Sequence, residues 1–394
     1  MGSLARTFRS PLAVIFGTIF LDLIGFGIVI PVLPLYAERF QASPLVIGLL
    51  LGVYSLMQCI FAPILGRLSD RVGRRPVLLL SVIGTSLGFL LMGFANSLWL
   101  LFVARIIDGV TGGNLSTAQA YIADVTPPEQ RSRGMGLIGA AFGLGFIFGP
   151  AIGGLLSHVS LAAPFLFAAG LAAVNAVAIY VFLPESLPPE RRSQPHQRAP
   201  LSAVVRQATQ RPLGIILAAY FFATVSFSLL TATYALFTER RFGYSAAQTG
   251  YIFAGQGLLG AVIQGGLLGW LVKTFGDKRL VITGTILLGL SLFVLPRSWT
   301  TPMLLLVTTG VAIGHSLVLA PLNGLASKSV GGTLQGRVLG LMQSAASFAR
   351  IVGPVLGGWL LNYDLVHFAG AFGRSPYAAG GAIALVAAGL AMAL

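Results

Sequence analysis

Long apolar stretches separated by short polar turns run through almost the whole chain. Most of these stretches approach or exceed the roughly 20 residues that a helix needs to cross about 30 Å of hydrocarbon. The pattern therefore predicts an all-α membrane protein with twelve transmembrane helices. The predicted spans are 12–36, 45–65, 77–95, 98–122, 134–157, 161–183, 213–237, 246–272, 280–296, 302–326, 338–362 and 375–394.

The composition is that of a membrane protein. Of the 394 residues, 56% are hydrophobic and only 9% are charged, so the chain has too few polar groups to cover a soluble surface. A net charge of +14 would suggest nucleic acid in a soluble protein, but these basic residues lie mostly in short loops between apolar stretches. We interpret them as topology signals, and we expect the lipid bilayer and no nucleic acid as a partner.

The basic residues are distributed unequally between the two faces of the predicted bundle. Eighteen of the 25 lysines and arginines fall on the face that holds both termini, and five fall on the other face. The remaining two, Arg105 and Arg350, lie within spans. Because positive loops stay in the cytoplasm, both termini are predicted to be cytoplasmic, in a multi-pass inner (plasma) membrane protein.

One long polar connection, rich in proline and arginine, separates six spans from six. It predicts an N-terminal bundle of residues 1–184, a cytoplasmic linker of residues 185–212 and a C-terminal bundle of residues 213–394.

The two halves also repeat, at a constant offset of 204 residues. Arg133-x2-Gly136 and Gly149-Pro150-x2-Gly153-Gly154 recur as Arg337-x2-Gly340 and Gly353-Pro354-x2-Gly357-Gly358. The repeat predicts two pseudo-symmetric six-helix bundles, with a substrate site between them near the bilayer midplane.

A tight polar turn is predicted between the second and third spans, where residues 66–76 read G-R-L-S-D-R-V-G-R-R-P. This motif resembles the signature loop of the major facilitator superfamily, especially that of its drug:proton antiporters. The resemblance implies the major facilitator fold and a transporter that exports amphipathic small molecules in exchange for protons by alternating access.

Glycines are regularly spaced in the fifth span, which resembles the family's antiporter motif. Glycine leaves a smooth face for close helix approach, and a proline in a helix removes a hydrogen bond and bends it. We expect tight packing at these residues, which the resemblance associates with antiport. They are Gly145, Gly149, Pro150, Gly153 and Gly154.

Asp22 lies about ten residues into the first span, or roughly 15 Å from its cytoplasmic entry. A carboxylate at that depth costs about 2.5–3.5 kcal/mol even on insertion scales, so it is expected to face a cavity or a partner. The segment Leu21–Pro34, which Pro31 and Pro34 close, resembles the first helix of tetracycline efflux pumps, where the matching aspartate is required. The alternative is a neutral aspartate that is hydrogen-bonded to a neighbouring helix.

Arg105 and Asp108 in the fourth span are spaced i, i+3, which places them on one helix face. Burial and a neighbouring arginine act in opposite directions on the proton affinity of a carboxylate. The pair is therefore predicted to contribute to proton coupling together with Asp22; the alternative is a self-neutralising structural pair. Arg105 matches the family's fourth-helix arginine.

The signature loop is predicted to act as a conformational latch. Asp70 would lie near the start of the eleventh span, at Gly336 and Arg337, where a helix N-terminus stabilises a carboxylate. Either Arg74 or Arg75 would reach the acidic end of the fourth span; the alternative is that these arginines only set topology. The predicted latch residues are Gly66, Asp70, Arg71, Gly73, Arg74 and Asp124.

Neutral polar residues within spans are candidates for the substrate cavity. The second half has no acidic residue in mid-membrane, because Glu239, Asp277 and Asp364 all lie near span ends. Arg350 could recognise an anionic substrate or tie helices together through backbone carbonyls, and His315 could be silent. The candidates are Gln58, Asn114, Gln119, Gln256, Gln264, His315, Asn323, Gln343 and Arg350.

The chain departs from the tetracycline pumps at Gly88, Gly260 and Leu288, where those pumps carry an acidic residue, a histidine and an aspartate. Tetracycline itself is therefore not the expected substrate.

The predicted function is proton-coupled export of amphipathic small molecules by a monomer, without cofactor, metal or catalytic residues. The chain has no Gly-x4-Gly-Lys loop for ATP, and no clustered site that would indicate an enzyme. The alternative is a proton symporter or facilitator for a small metabolite with the same fold.

Overall fold

The computed structural model describes residues 11–127, 131–192, 211–330 and 335–394. Over these ranges every regular element is helical, and no strand occurs. Within these ranges, twelve helical spans are long and apolar enough to cross a membrane. The prediction of an all-α protein with twelve membrane spans is confirmed, whereas most of the predicted linker, residues 193–210, lies outside the described ranges.

Fifteen α-helices form the twelve spans. The fourth span consists of α4 and α5, the eighth of α9 and α10 joined by a π-helical segment, Ile263–Leu267, and the tenth of α12 and α13. The helices are α1 Pro11–Glu38, α2 Pro44–Val72, α3 Arg74–Gly93, α4 Leu98–Thr111, α5 Asn114–Val125, α6 Arg131–Ser157, α7 Ala163–Phe182, α8 Leu213–Phe242, α9 Ala246–Val262, α10 Leu268–Phe275, α11 Asp277–Val294, α12 Thr301–Ser316, α13 Leu319–Lys328, α14 Gln335–His367 and α15 Arg374–Met392.

The chain forms two compact units. The first comprises Met1–Gln41, Val53–His196 and Ser245–Ala254, and the second comprises Ala42–Gly52, Gln197–Tyr244 and Gly255–Leu394. Each unit therefore includes a short segment from the other half of the sequence, namely the first turns of α9 and of α2, respectively.

The sequence repeat corresponds to a repeat of packing. In the first unit α6 packs along α1, and in the second α14 packs along α8. Gly149 lies against Gly27 of α1, and its counterpart Gly353 lies against Val225 and Ser228 of α8. Glycines at equivalent positions of the repeat thus bring equivalent pairs of helices together in the two units.

The polar turn is much shorter than the sequence pattern predicted. Helix α2 continues to Val72 and α3 begins at Arg74, so Gly73 alone is non-helical between them. Gly73 has a φ of +113°, which residues with a Cβ rarely adopt. The prediction of a loop over residues 66–76 was wrong because polar side chains beyond the apolar core can extend a helix.

Two spans predicted to be continuous are broken in the middle. The fourth span is interrupted at Gly112 and Gly113, and the tenth at Leu317 and Val318, within one residue of the position that the repeat offset gives. Gly112 is tolerated in mid-span because Gln58 Nε2 donates to its carbonyl oxygen at 2.8 Å, which satisfies a backbone group freed from the helix.

The first span is longer than predicted. Pro31 and Pro34 lie inside α1, as they do inside the predicted span 12–36. Proline removes one backbone donor but does not prevent the helix from continuing when neighbouring helices enclose it.

Candidate functional site

A buried ion pair lies in the middle of the fourth span. Arg105 Nη1 donates to Asp108 Oδ2 at 3.0 Å, and the two residues are only 1% and 4% exposed. The Arg105 guanidinium also lies over the ring of Tyr54, 4.2 Å from its centroid. The i, i+3 spacing on α4 thus brings the predicted pair together.

Gly88 of α3 leaves the space that Asp108 occupies. A Cβ at Gly88 would lie 2.9 Å from the Asp108 Cβ and 3.1 Å from the carbonyl oxygen of Ala104. The small residue at this position of α3 therefore permits the carboxylate on α4.

Asp22 is half-buried in α1 and borders a small cavity between α1, α3 and α7. Thr85 and Asn175 also line this cavity, which has room for about one water molecule. Asp108 and Asn114 are near enough to Asp22 to interact with it electrostatically. The carboxylate thus lies among polar groups in an otherwise apolar interior.

Polar side chains continue from Asp22 toward the N-terminal ends of α1 and α3. Thr18 Oγ1 donates to Asn175 Oδ1 at 3.1 Å. The hydroxyls of Ser81 and Thr85 are buried without a hydrogen-bond partner among the described residues. Sequence reasoning missed Thr85 and Asn175 because a single neutral polar residue in a span is a weak signal.

The remaining polar candidates of the first unit differ in their roles. Gln58 donates to Tyr54 Oη at 3.1 Å as well as to Gly112, so it supports the break in the fourth span. Asn114 begins α5 and is buried, and its Nδ2 has no hydrogen-bond partner among the described residues. Gln119 is half-buried on α5.

The glycines of the fifth span pack against backbone. Gly145 lies against Leu23, Gly149 against Gly27 and Gly153 against Ile28, so all three contact α1. A Cβ at Gly149 would lie 2.7 Å from the Gly27 Cα, and a Cβ at Gly27 would lie 2.9 Å from Pro150 Cδ.

The last glycine of this motif has a different partner. Gly154 lies against Ala247 and Gly250 in the first turns of α9. These turns belong to the same compact unit as α6. The motif therefore holds two neighbouring helices to α6 without polar contacts.

Arg74 is the centre of a polar network where α2 meets α3. Its guanidinium pairs with Asp70, donates from Nε to Asp124 Oδ2 at 3.1 Å and donates to Ser69 Oγ at 2.8 Å. Arg74 is buried although it is charged, and Arg71 is exposed. Of the two arginines considered for Asp124, Arg74 makes the contact.

Of the other predicted latch residues, Gly66 makes a contact within α2, whereas the contact predicted for Asp70 falls outside the described residues. Gly66 contributes its carbonyl oxygen, which accepts from Ser69 Oγ at 2.8 Å. The predicted partners of Asp70, Gly336 and Arg337, have side chains outside the part of the chain that the structure describes.

Glu185 is a member of this network that sequence reasoning missed. Its carboxylate accepts from the backbone nitrogens of Arg74 at 2.8 Å and Arg75 at 3.2 Å, which are the first two residues of α3. A carboxylate at a helix N-terminus satisfies exposed amides and the helix dipole. It also lies where a Cβ at Gly73 would be, which is a second reason for glycine there.

The polar candidates of the second unit are spread over α9, the π-helical segment Ile263–Leu267, α12, α13 and α14. The rings of Phe227 and His315 stack with centroids 3.6 Å apart. His315 Nδ1 and Gln256 Nε2 are buried without a hydrogen-bond partner among the described residues. Gln264 and Gln343 are exposed.

A family model, the Major Facilitator Superfamily, matches residues 15–268 and 216–394. The tetracycline resistance protein, class E, of Escherichia coli is 36% identical over 356 residues, covering 87% of this chain and 86% of that protein. Multidrug resistance protein 2 of Bacillus subtilis (strain 168) is 30% identical over 387 residues, covering 96% of this chain and 94% of that protein.

Among solved structures, that of the human organic anion transporter MFSD10 (TETRAN) is similar, with a TM-score of 0.71 and 26% identity. The alignment covers 99% of this chain and 100% of that one. The chain therefore belongs to the major facilitator superfamily, in the drug:proton antiporter group that includes the tetracycline resistance proteins.

Proposed function

We propose that the protein exports amphipathic small molecules or drugs in exchange for protons, by alternating access between the two membrane faces. It is a multi-pass membrane transporter and not an enzyme. The relatives that are named for tetracycline and multidrug resistance support a drug-like substrate. The observation that carries the proposal is the Asp22 carboxylate, which borders a polar cavity inside an apolar bundle.

Asp22 is proposed as the principal proton site. A carboxylate in mid-membrane is costly, so it is retained where it binds a proton, an ion or a substrate. The Arg105–Asp108 pair lies close enough to respond to its charge. In this proposal the pair adjusts the cavity when Asp22 gains or loses its proton.

The excess of positive residues on one face supports cytoplasmic termini and an inner-membrane location. We further propose that the transporter functions as a monomer.

The proposal is tested by proton release from the detergent-solubilised protein in weak buffer with a pH-sensitive dye. A cationic, a neutral and an anionic amphiphile are added separately. Release of protons on binding of at least one amphiphile, and its loss in Asp22→Asn, is the expected result. Proton uptake on binding would favour the symporter instead, and binding without any proton change would contradict proton coupling.

The polar network around Arg74 is proposed to act as a conformational latch. Asp70 and Asp124 share the Arg74 guanidinium, so the positions of α2, α3 and α5 are connected by charge. Loss of one carboxylate leaves a buried arginine incompletely paired, which is costly.

Asp70→Asn is therefore expected to shift the population toward the inward-open state and to slow turnover several-fold. Distance distributions between spin labels on the cytoplasmic ends of α2 and α14 measure this shift. Asp277→Asn is a control, because Asp277 pairs with Lys328 at the start of α11. Unchanged distributions in Asp70→Asn would refute the latch.

A further inference from the structure

The centre of the second unit carries a positive charge. Arg350 lies near the middle of α14 and is half-buried. The three carboxylates of this unit lie at helix ends: Glu239 is in the last turn of α8, Asp277 begins α11 and Asp364 is in the last turns of α14. A cation at this depth faces the bundle interior or a cavity.

Two of these carboxylates have partners of their own. Asp277 pairs with Lys328, and Asp364 accepts from the backbone nitrogen of Ser375 at 2.9 Å. Asp364 is also about 21 Å from Arg350 along the helix axis, at roughly 1.5 Å per residue. The carboxylates of this unit therefore lie at helix ends, away from the middle of α14 where Arg350 lies.

Neutral hydrogen-bonding groups surround the guanidinium. Arg350 Nη2 donates to Ser347 Oγ at 3.2 Å, and Gln343, Ser347 and Arg350 share one face of α14 by their i, i+4, i+7 spacing. Tyr220 of α8 is near enough to Arg350 and to Asn323 of α13 to interact with both. Tyr220 of α8 thus lies near polar side chains of both α13 and α14.

An aromatic surface lies on the same side of α8. Phe227 is seven residues after Tyr220, which places both on one helix face. Its ring is stacked on His315. A ligand with a flat apolar body and one polar end could pack its body against the aromatic rings and place its polar end near Arg350.

We propose that Arg350, with Tyr220 and Asn323, forms a subsite for the acidic group of an amphipathic aromatic substrate. A guanidinium matches a carboxylate with two parallel hydrogen bonds, and the tyrosine hydroxyl and asparagine amide supply further donors. The inference rests on the proposed function, because it names the substrate class of that transporter.

The test uses two probes of nearly equal shape, 1-naphthaleneacetate and 1-naphthaleneacetamide, which differ in charge. Binding to the purified full-length protein is measured by calorimetry for wild type, Arg350→Gln and Arg350→Lys. Arg350→Gln is expected to weaken binding of the carboxylate roughly 10- to 100-fold, because hydrogen bonds to charged groups are the strong ones. Binding of the amide is expected to stay within about threefold.

Arg350→Lys keeps the charge and loses the planar fork, so it is expected to show an intermediate loss for the carboxylate. Tyr220→Phe is expected to weaken carboxylate binding about three- to tenfold, which tests the subsite without changing its charge. Arg297→Gln is the matched control, because Arg297 is exposed at the end of the ninth span and donates to the Phe293 carbonyl.

If Arg350→Gln lost affinity equally for both probes, Arg350 would only hold helices together, and the inference would be overturned. A wild-type protein that prefers the amide, or that binds neither probe, would overturn it as well. The proposed function is judged separately by proton release with any of the three amphiphiles and by its loss in Asp22→Asn. Its failure is therefore distinguishable from failure of the subsite.

Discussion

Asp22→Asn is expected to abolish transport against a gradient while leaving the protein folded and able to bind substrate. Asparagine has nearly the same shape and can hydrogen-bond to the same neighbours, but it cannot exchange a proton. Downhill exchange of labelled substrate should therefore persist, whereas accumulation driven by a pH gradient should fall to the level of empty vesicles. Both are measured in proteoliposomes.

The matched control is Glu190→Gln, which removes an exposed carboxylate in the short helix Pro189–Arg191. It is expected to transport like the wild type. Full uphill transport by Asp22→Asn would remove Asp22 from the mechanism.

Gly149→Val is expected to reduce transport at least tenfold and to lower the thermal stability of the protein. The new side chain would meet the backbone of Gly27 and the carbonyl oxygen of Ile24, 2.7 and 2.8 Å from its Cβ. Backbone cannot move aside as a flexible side chain can, and overpacking costs about 1–3 kcal/mol. Helices α1 and α6 would separate, which displaces Asp22 on the neighbouring turn.

Gly143→Val in the same helix is the control, since, outside its own stretch of helix, no atom of the described residues lies within 4 Å of its Cβ position. It is expected to be nearly neutral in a thermal-shift assay and in transport. If the two variants behave alike, the close contact at Gly149 has no special part in the mechanism.

The sequence was sufficient to predict the twelve spans and the repeat, because both depend on residue pattern alone. A membrane requires about 20 apolar residues in each helix, and that demand is visible in the sequence. Gly149 was recognisable as a packing position, since glycine at regular spacing has few other uses in a span.

Helix ends and breaks were not predictable in the same way. The extension of α2 to Val72 depends on Ser69, Asp70 and Arg74, which contact one another only after α3 has folded back. The break at Gly112 depends on a hydrogen bond from Gln58, which is 54 residues away. Tertiary contacts decide such details, and the local sequence contains little sign of them.

The candidate site was predicted in part. Arg105 and Asp108 were paired from their spacing, because i, i+3 residues meet on any helix. Glu185 was missed, since its contact with the start of α3 spans 111 residues. The water-sized cavity beside Asp22 also requires three helices in place, so Thr85 and Asn175 could not be identified from the chain alone.

Export coupled to proton entry is tested with an imposed pH gradient. Purified protein is reconstituted into vesicles with an acidic lumen, and uptake of a fluorescent amphiphile is followed. We expect the amphiphile to accumulate in the lumen, up to about tenfold per pH unit for each proton exchanged. This accumulation should collapse when an ionophore removes the gradient. Accumulation only in vesicles with an alkaline lumen, or uptake that does not depend on the pH gradient, would contradict proton-coupled export.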